Sequence, residues 1–423
     1  MHRHIRGNQG SRQGCSCPGK IITIHAKPHI LRFSFLKKQV FQWAIPAACG
    51  ILDNMEKFRI FVINPGSTST KLAMFENEDK QFECDVFHDS TILRTFPTLN
   101  DQVDYRMEVI FQFLKDNGIS LEGIDAIAAR GGGCYSVVSG TYEISDLLIA
   151  DARANKGNLY HASLLGVQLA KRVQEIYGGK MYMIDPTCTD ELQDLARITG
   201  VKGCYRHAAS HPLNLKAVCR KYAESIGKKY SDLNLIACHI DGGISVTAHR
   251  KGMMVDAIDG AGGEGPFTPT RMGGMAVTDV LRFLYGKPAE EIRNLCSVTG
   301  GFSSWFGTSN SDYVHSLVEQ KDEKAVMIWN AMIYRIAKCI GEMSMVLHGD
   351  VDAILLTGGL MRFDDIREQL EEYSGWVAPI AVYPGEYEME ALSKGVLRVL
   401  KGEEEAKIYS GKPVWDGFDW DRD

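Results

Sequence analysis

The sequence predicts an α/β fold made of two similar domains, and three observations predict it. A strand–glycine turn–strand unit near residue 58 returns near residue 233. Short apolar runs alternate with segments of helical apolar spacing, as in strands interleaved with helices. The 423 residues also exceed what one hydrophobic core usually organises.

In chain order, residues 1–54 stand apart. They carry eight Lys or Arg and a single acid, Asp53, whereas the whole chain has a net charge of -6. A basic, acid-poor start fits a targeting peptide or a disordered arm. The favoured expectation is a mis-called upstream start, because Met55 leads directly into the strand pattern FRIFVI at 58–63.

The first domain is expected over 55–186 together with about 386–423. Its opening strand runs into the turn Asn64-Pro-Gly-Ser-Thr-Ser-Thr70 and out along KLAMFEN. A helix is expected around 102–117, where Val103, Met107, Ile110, Phe111 and Leu114 share one face and Gly118 stops it. A buried strand at 124–129 ends in Gly131-Gly132-Gly133, and a helix is expected at 161–177; the next helix, at 213–226, falls in the second domain.

The second domain, 187–385, repeats the programme. Strands at 233–240 and 244–249 flank Asp241-Gly242-Gly243, and Lys251-Gly252 turns into a strand at 253–258. Helices follow at 277–285, 311–319 and 325–348. A strand at 351–356 ends in Thr357-Gly358-Gly359, and a helix near 388–400 closes the body. GIDAIAARGG at 123–132 is echoed by DVDAILLTGG at 350–359, each after a long helix, so internal duplication is the economical reading.

Composition narrows the function classes. An acidic net charge argues against a nucleic-acid binder. No run of about 18 apolar residues is present, so no segment is expected to span a membrane. Eleven cysteines without a C-x-x-C spacing fit reduced thiols and a cytoplasmic location, rather than a zinc site or a disulfide framework.

The glycine turns carry the chemistry. A tight turn rich in Gly, Ser and Thr aims backbone N–H groups at one point, and glycine lets an anion come close. In the first turn Asn64, Ser67 and Ser69 offer donors and Lys71 adds a point charge. The second turn offers His239, Gly242 and Gly243. The third, Gly358-Gly359, ends a strand where a nucleotide base is expected to lie. ATP or ADP is therefore the expected ligand, although neither a P-loop nor a protein-kinase signature is present.

Two facing units with a third glycine turn resemble the ATPase of the sugar kinase, heat-shock chaperone and actin superfamily. That resemblance implies duplicated actin-like (ribonuclease H-like) domains. Each would be a mixed five-stranded sheet flanked by helices, with a cleft between them. VINPGSTSTK at 62–71, ARGGG at 129–133, HIDGGISVTAH at 239–249, DGAGGEGPFTPTRMGGM at 259–275 and PGEYEMEALSKGVLRVL at 384–400 narrow it further. They resemble the butyrate kinases within the acetate kinase family.

The resemblance implies in-line transfer of the ATP γ-phosphoryl group to butanoate. A related acid (isobutyrate, propionate or acetate) or a weakly active nucleotide-binding regulator is the alternative. By the same resemblance Arg130 and Arg271 grip the anions, His211 supports the transferring group, and Asp185 completes the catalytic set. His161 and His239 match family positions. Glu386 or Glu388 is expected to reach Mg²⁺, and a homodimer or larger assembly is expected. The chain departs from the family pattern at Asp241, where a glycine is usual, at Ser210 and Pro212 around His211, and at Val314, where acetate kinases carry an arginine.

Overall fold

The computed structural model describes residues 57–158 and 161–421. The expectations for residues 1–54 lie outside them. β1 (Arg59–Pro65) is buried from Ile60 onward, and a strand apolar on both sides takes the centre of a sheet. β2 (Ser69–Glu76) returns antiparallel through the Gly66 turn, and β3 (Asp79–Phe87) carries the meander to the edge. β4 (Ala126–Ala129) runs parallel to β1. β5 (Thr141–Glu143) and β6 (Lys180–Ile184) complete the order β3-β2-β1-β4-β6-β5. This sheet has six strands rather than the expected five. β5 joins antiparallel to β6, and three residues are too few to leave a periodic signal.

The second sheet has the expected five strands. β7 (Asn234–Ile240), β8 (Ile244–Arg250) and β9 (Met253–Ala257) form its meander; β10 (Ala353–Gly358) and β11 (Ile380–Pro384) lie beyond β7 in the order β11-β10-β7-β8-β9. β10 runs parallel to β7 and β11 parallel to β10. Leaving β5 aside, the two sheets share one order and one set of strand directions, which is how the duplicated sequence units fold.

Period-two alternation sends each strand's apolar residues to two faces, and helices cover both. Phe61, Ile63, Leu72 and Ile127 pack beneath Met107, Ile110 and Leu114 of the helix Val103–Asp116 and Leu169 and Val173 of the helix Gly166–Tyr177. Ile60, Val62, Phe75 and Tyr182 face Met389, Leu392 and Val396 of the closing helix Glu388–Leu400. In the second sheet Ile236, Val246 and Leu356 meet Trp329, Ile333 and Ile336 of the helix Glu323–Val346. The helix Pro212–Ser225 covers the other face with Leu215 and Val218. Each such side chain, fully buried, contributes about 1.5–3 kcal/mol of transfer free energy. Leu213 of Pro212–Ser225 packs with Met389 and Leu392, so this helix also joins the first sheet's closing helix.

The glycine turns lie where strands end: residues 66–69 after β1, 130–133 after β4, 241–243 after β7 and Gly359 after β10. Carboxyl ends of parallel strands are where open α/β sheets bind ligands. No helix among the described residues is long and apolar enough to cross a membrane.

Candidate active site

The first turn is held from behind by a residue that the sequence reading missed. Arg106 is fully buried on the helix Val103–Asp116. Its Nη1 donates to the Gly66 carbonyl at 2.9 Å and its Nη2 to the Ser67 carbonyl at 2.9 Å. Nε and Nη2 also donate to Gln102 Oε1 at 3.1 and 3.0 Å. In a planar trans peptide the N–H points opposite to the C=O. Pulling these two carbonyls inward therefore turns the Ser67 and Thr68 N–H groups outward, towards an exposed surface. That is the geometry of an anion-binding nest. Among the described residues no carboxylate hydrogen-bonds Arg106, and burial pushes its guanidinium down to about 10. The missed signal was position 106 itself: it lies three residues from Val103 and four from Ile110, an arginine on an apolar face.

At the front of the turn Asn64 Nδ2 donates to Glu388 Oε2 at 2.7 Å, and Arg130 Nη1 donates to the same oxygen at 2.9 Å. Burial alone would raise the Glu388 carboxyl; Arg130 and the Asn64 amide outweigh it and hold it below the usual carboxylate range. Lys71 pairs with Glu386 at 3.2 Å. Ser69 accepts the Gly66 N–H at 2.8 Å through its carbonyl. Arg130 is set by its neighbours: its N–H donates to the Ile63 carbonyl, and Gly166 packs so closely that a Cβ there would lie 1.8 Å from the Arg130 oxygen. The Arg130 Nε is buried without a partner.

Three histidines gather here. Asn214 Oδ1 accepts the Tyr387 N–H at 2.9 Å, which fixes the amide, and its Nδ2 donates to His239 Nδ1 at 2.9 Å. The neutral His239 ring accordingly carries its proton on Nε2. His211 stacks on His239 with ring centroids 4.1 Å apart, and its Nδ1 meets Ser245 Oγ at 2.8 Å. Burial, followed by His239, Arg271 and Arg130, depresses His211 well below the usual histidine value. Burial likewise lowers His239. Burial and then Arg130 lower His161 to about 4. At neutral pH all three are uncharged rings that donate through N–H.

The Thr268-Pro269-Thr270-Arg271 loop is fastened to the second turn. Thr268 Oγ1 and Thr270 Oγ1 donate to the Gly242 carbonyl at 2.6 and 3.0 Å, and the Arg271 N–H donates to Thr268 Oγ1 at 3.0 Å. The guanidinium then lies against Gly243, where a Cβ would sit 2.7 Å from Nη2. Its Nε is also buried and unpartnered. Burial lowers the Arg271 pKa, and Asp259 opposes this.

Asp241 accepts the Gly242 N–H and the Gly359 N–H, each at 2.7 Å, and so ties the second turn to the third. Gly358 takes φ 103°, with the Ile240 oxygen 2.4 Å from where a Cβ would be. His239, Asp241 and Glu386 each bring one ligand atom to within 4.8 Å of the others. Asp185 is buried with both oxygens taken, one by the Gly140 N–H and one by Arg220 Nη1, each at 2.8 Å. Pro212 is the first residue of its helix, where its missing N–H costs nothing. Val314 is buried in the second sheet's core.

The structure thus brings Asn64, Lys71, Arg130, Glu386 and Glu388 together at the first turn. It sets His211, His239, Gly242, Gly243 and Arg271 around the second. Such an arrangement can hold two anions side by side under neutral donors and arginines.

Comparison with known proteins bears on what those anions are. The acetokinase family matches residues 193–370. Over 356 residues the chain is 40% identical to butyrate kinase 2 of Clostridium acetobutylicum, covering 84% of this chain and 99% of that protein. A propionate kinase from Francisella tularensis superposes with a TM-score of 0.64 at 16% identity, covering 80% of this chain and 98% of that one. Acetate kinase from Porphyromonas gingivalis superposes with a TM-score of 0.61 at 19% identity, covering 80% and 99%. These two structures carry the same fold.

Proposed function

The chain belongs to the acetokinase family, and we propose that it transfers the γ-phosphoryl group of ATP to butanoate, giving butanoyl phosphate and ADP. The observation that carries this reading is the convergence of two arginines from different sheets on one neutral histidine. Arg130 follows β4 and bonds Asn64 and Glu388 beside the first turn. Arg271 is clasped to the turn after β7, and His211 stacks on His239 at the end of β7.

The reaction needs little proton chemistry. Butanoate is ionised at neutral pH, so its oxygen attacks phosphorus directly while the bond to the β-phosphate oxygen breaks and ADP takes the electron pair. The work is to bring two anions into line and to meet the charge on the transferring group. Arg130 and Arg271 neutralise that charge. His211, held by Ser245 and by its stack on His239, donates an N–H to it. The outward N–H groups of the first turn, with Lys71, receive phosphate oxygens. Asp185, engaged with Gly140 and Arg220, acts as a positioning residue. Residues 55–186 with 386–423 form one domain and 187–385 the other, closing on the nucleotide to exclude water.

Mg²⁺ fits this site through oxygen donors. His239 presents an Nε2 proton, which leaves the Asp241 and Glu386 carboxylates for a cation that takes one or two carboxylates and completes its shell with phosphate and water. Bound there, the metal would offset phosphate charge.

Discrimination per methylene is only about 1–3 kcal/mol, so isobutyrate, propionate and acetate are expected to overlap as substrates. The free thiols among the described residues support a reducing, cytoplasmic setting. A homo-oligomer belongs to the same reading. A weakly active nucleotide-binding regulator is the second reading, favoured by the Asp241 carboxylate in a phosphate turn. Incubation with ATP, Mg²⁺ and C2–C5 acids in the presence of hydroxylamine separates the two. The kinase is expected to yield acyl hydroxamate fastest with a four-carbon acid. No hydroxamate from any acid, despite tight ATP binding, would overturn it.

A further inference from the structure

The Asp241 carboxylate takes two uncharged donors that belong to different turns. The Gly242 N–H follows β7 and the Gly359 N–H follows β10, and both reach it at 2.7 Å. Backbone N–H groups from two strand ends converging on one carboxylate make an anion hole that is already filled. Glycine is needed for the approach: a Cβ on residue 359 would lie 2.6 Å from Asp241 Oδ2. Asp241 is half-buried rather than enclosed, so it has room to swing away.

We propose that Asp241 is a built-in stand-in for a nucleotide phosphate. It occupies the Gly242 and Gly359 donors in the empty enzyme and surrenders them to a phosphate of ATP. The inference rests on the nucleotide reading above. Displacement carries a consequence. The released carboxylate stays beside Glu386, whose ligand atom lies within 4.8 Å, and beside the incoming phosphates. Three anionic groups then share one corner, and Lys71, 3.2 Å from Glu386, offsets only one of them. A divalent cation does. Asp241 therefore makes nucleotide binding depend on a divalent cation more steeply than a glycine in its place would.

Calorimetric titration of ATP, in EDTA and in Mg²⁺, tests this on the full chain. Asp241→Gly is expected to bind metal-free ATP at least tenfold more tightly than wild type, about 1.4 kcal/mol, and to gain at least tenfold less affinity than wild type when Mg²⁺ is added. Asp241→Asn keeps an oxygen for the Gly359 N–H but loses the charge, and is expected to gain at least threefold in EDTA. Adenosine, which has no phosphate, is expected to bind all three proteins equally. Unchanged metal-free ATP affinity in either folded variant would overturn the proposal, and so would an equal gain for adenosine. Should Asp241→Gly fail to fold, the Asp241→Asn result decides. A wild-type protein that binds no Mg²⁺-ATP would instead overturn the nucleotide reading, and this inference with it.

Discussion

Arg106 is a buried cation whose hydrogen bonds run to carbonyl, amide and hydroxyl oxygens. A buried charge without a carboxylate is costly. What it gains here is control of the first turn, through a planar fork that reaches two carbonyls and Gln102 at once. Lysine offers a point charge and cannot span them. Arg106→Lys is therefore expected to raise the KM for ATP about tenfold while leaving the KM for the acid nearly unchanged. Steady-state kinetics with each substrate varied check this, and an equal rise in both would assign Arg106 a merely structural role. Asn64 and Lys71 were singled out by the glycine turn that holds them, and Arg130 and Arg271 by the family resemblance together with their glycine surroundings. Asn214 and Ser245, which orient His239 and His211, carried no such mark: their role exists only where strand and helix meet.

At the scale of elements, the longest helices and the strands β1, β2, β4 and β7 to β10 were legible, most ends falling within about two residues. The helix expected at 325–348 is Glu323–Val346, capped by the Asp322 side chain on the Ala325 N–H. The strands β3, β5, β6 and β11 were not read, because short or half-exposed strands leave little period-two signal, and neither were the helices Asp146–Arg153, Ala289–Ser297 and Asp364–Ser374. Close contact between elements was equally invisible. The helix Gly166–Tyr177 begins against the Arg130 backbone, and Gly166 is what permits it. In an isolated helix Gly→Ala is stabilising by up to about 1 kcal/mol. Here Gly166→Ala is expected to act with the opposite sign, lowering the melting temperature by several degrees and the hydroxamate rate at least tenfold. Thermal unfolding and the rate assay on the same preparation check it; unchanged values in both would contradict the packing described.

For the whole molecule, buried titratable groups set the response to acid. Burial, with Arg106 nearby, lowers His88 to about 4, and burial with Lys216 lowers His249 to about 3. Burial alone would raise Glu191, but Lys216 at 2.7 Å, Ser139 and the Met254 N–H hold it at about 2. Each folded-state pKa lies below its unfolded value, about 6.5 for histidine and about 4.3 for glutamate. The histidines therefore lend their full stability above pH about 6.5 and lose it as the pH falls towards 4 and 3. Glu191 lends its share above about 4.3 and loses it towards 2. The melting temperature is expected to fall steadily from pH 6.5 to 4 and more steeply below. A constant value across that range would contradict these assignments.

By itself the sequence determined the duplicated α/β plan, the longest helices, most of the central strands and the glycine turns. Local periodicity and turn chemistry act over a few residues and are written in the chain. Tertiary structure alone decided the sixth strand, the support of the first turn by Arg106, the proton position on His239 and the two bonds made by Asp241. Each of these depends on groups brought together from distant positions: Asp241 reaches Gly359 across 118 residues, and Glu388 meets Asn64 across 324. Spacing along the chain carries no record of such distances, because packing sets them only once the sheets have formed.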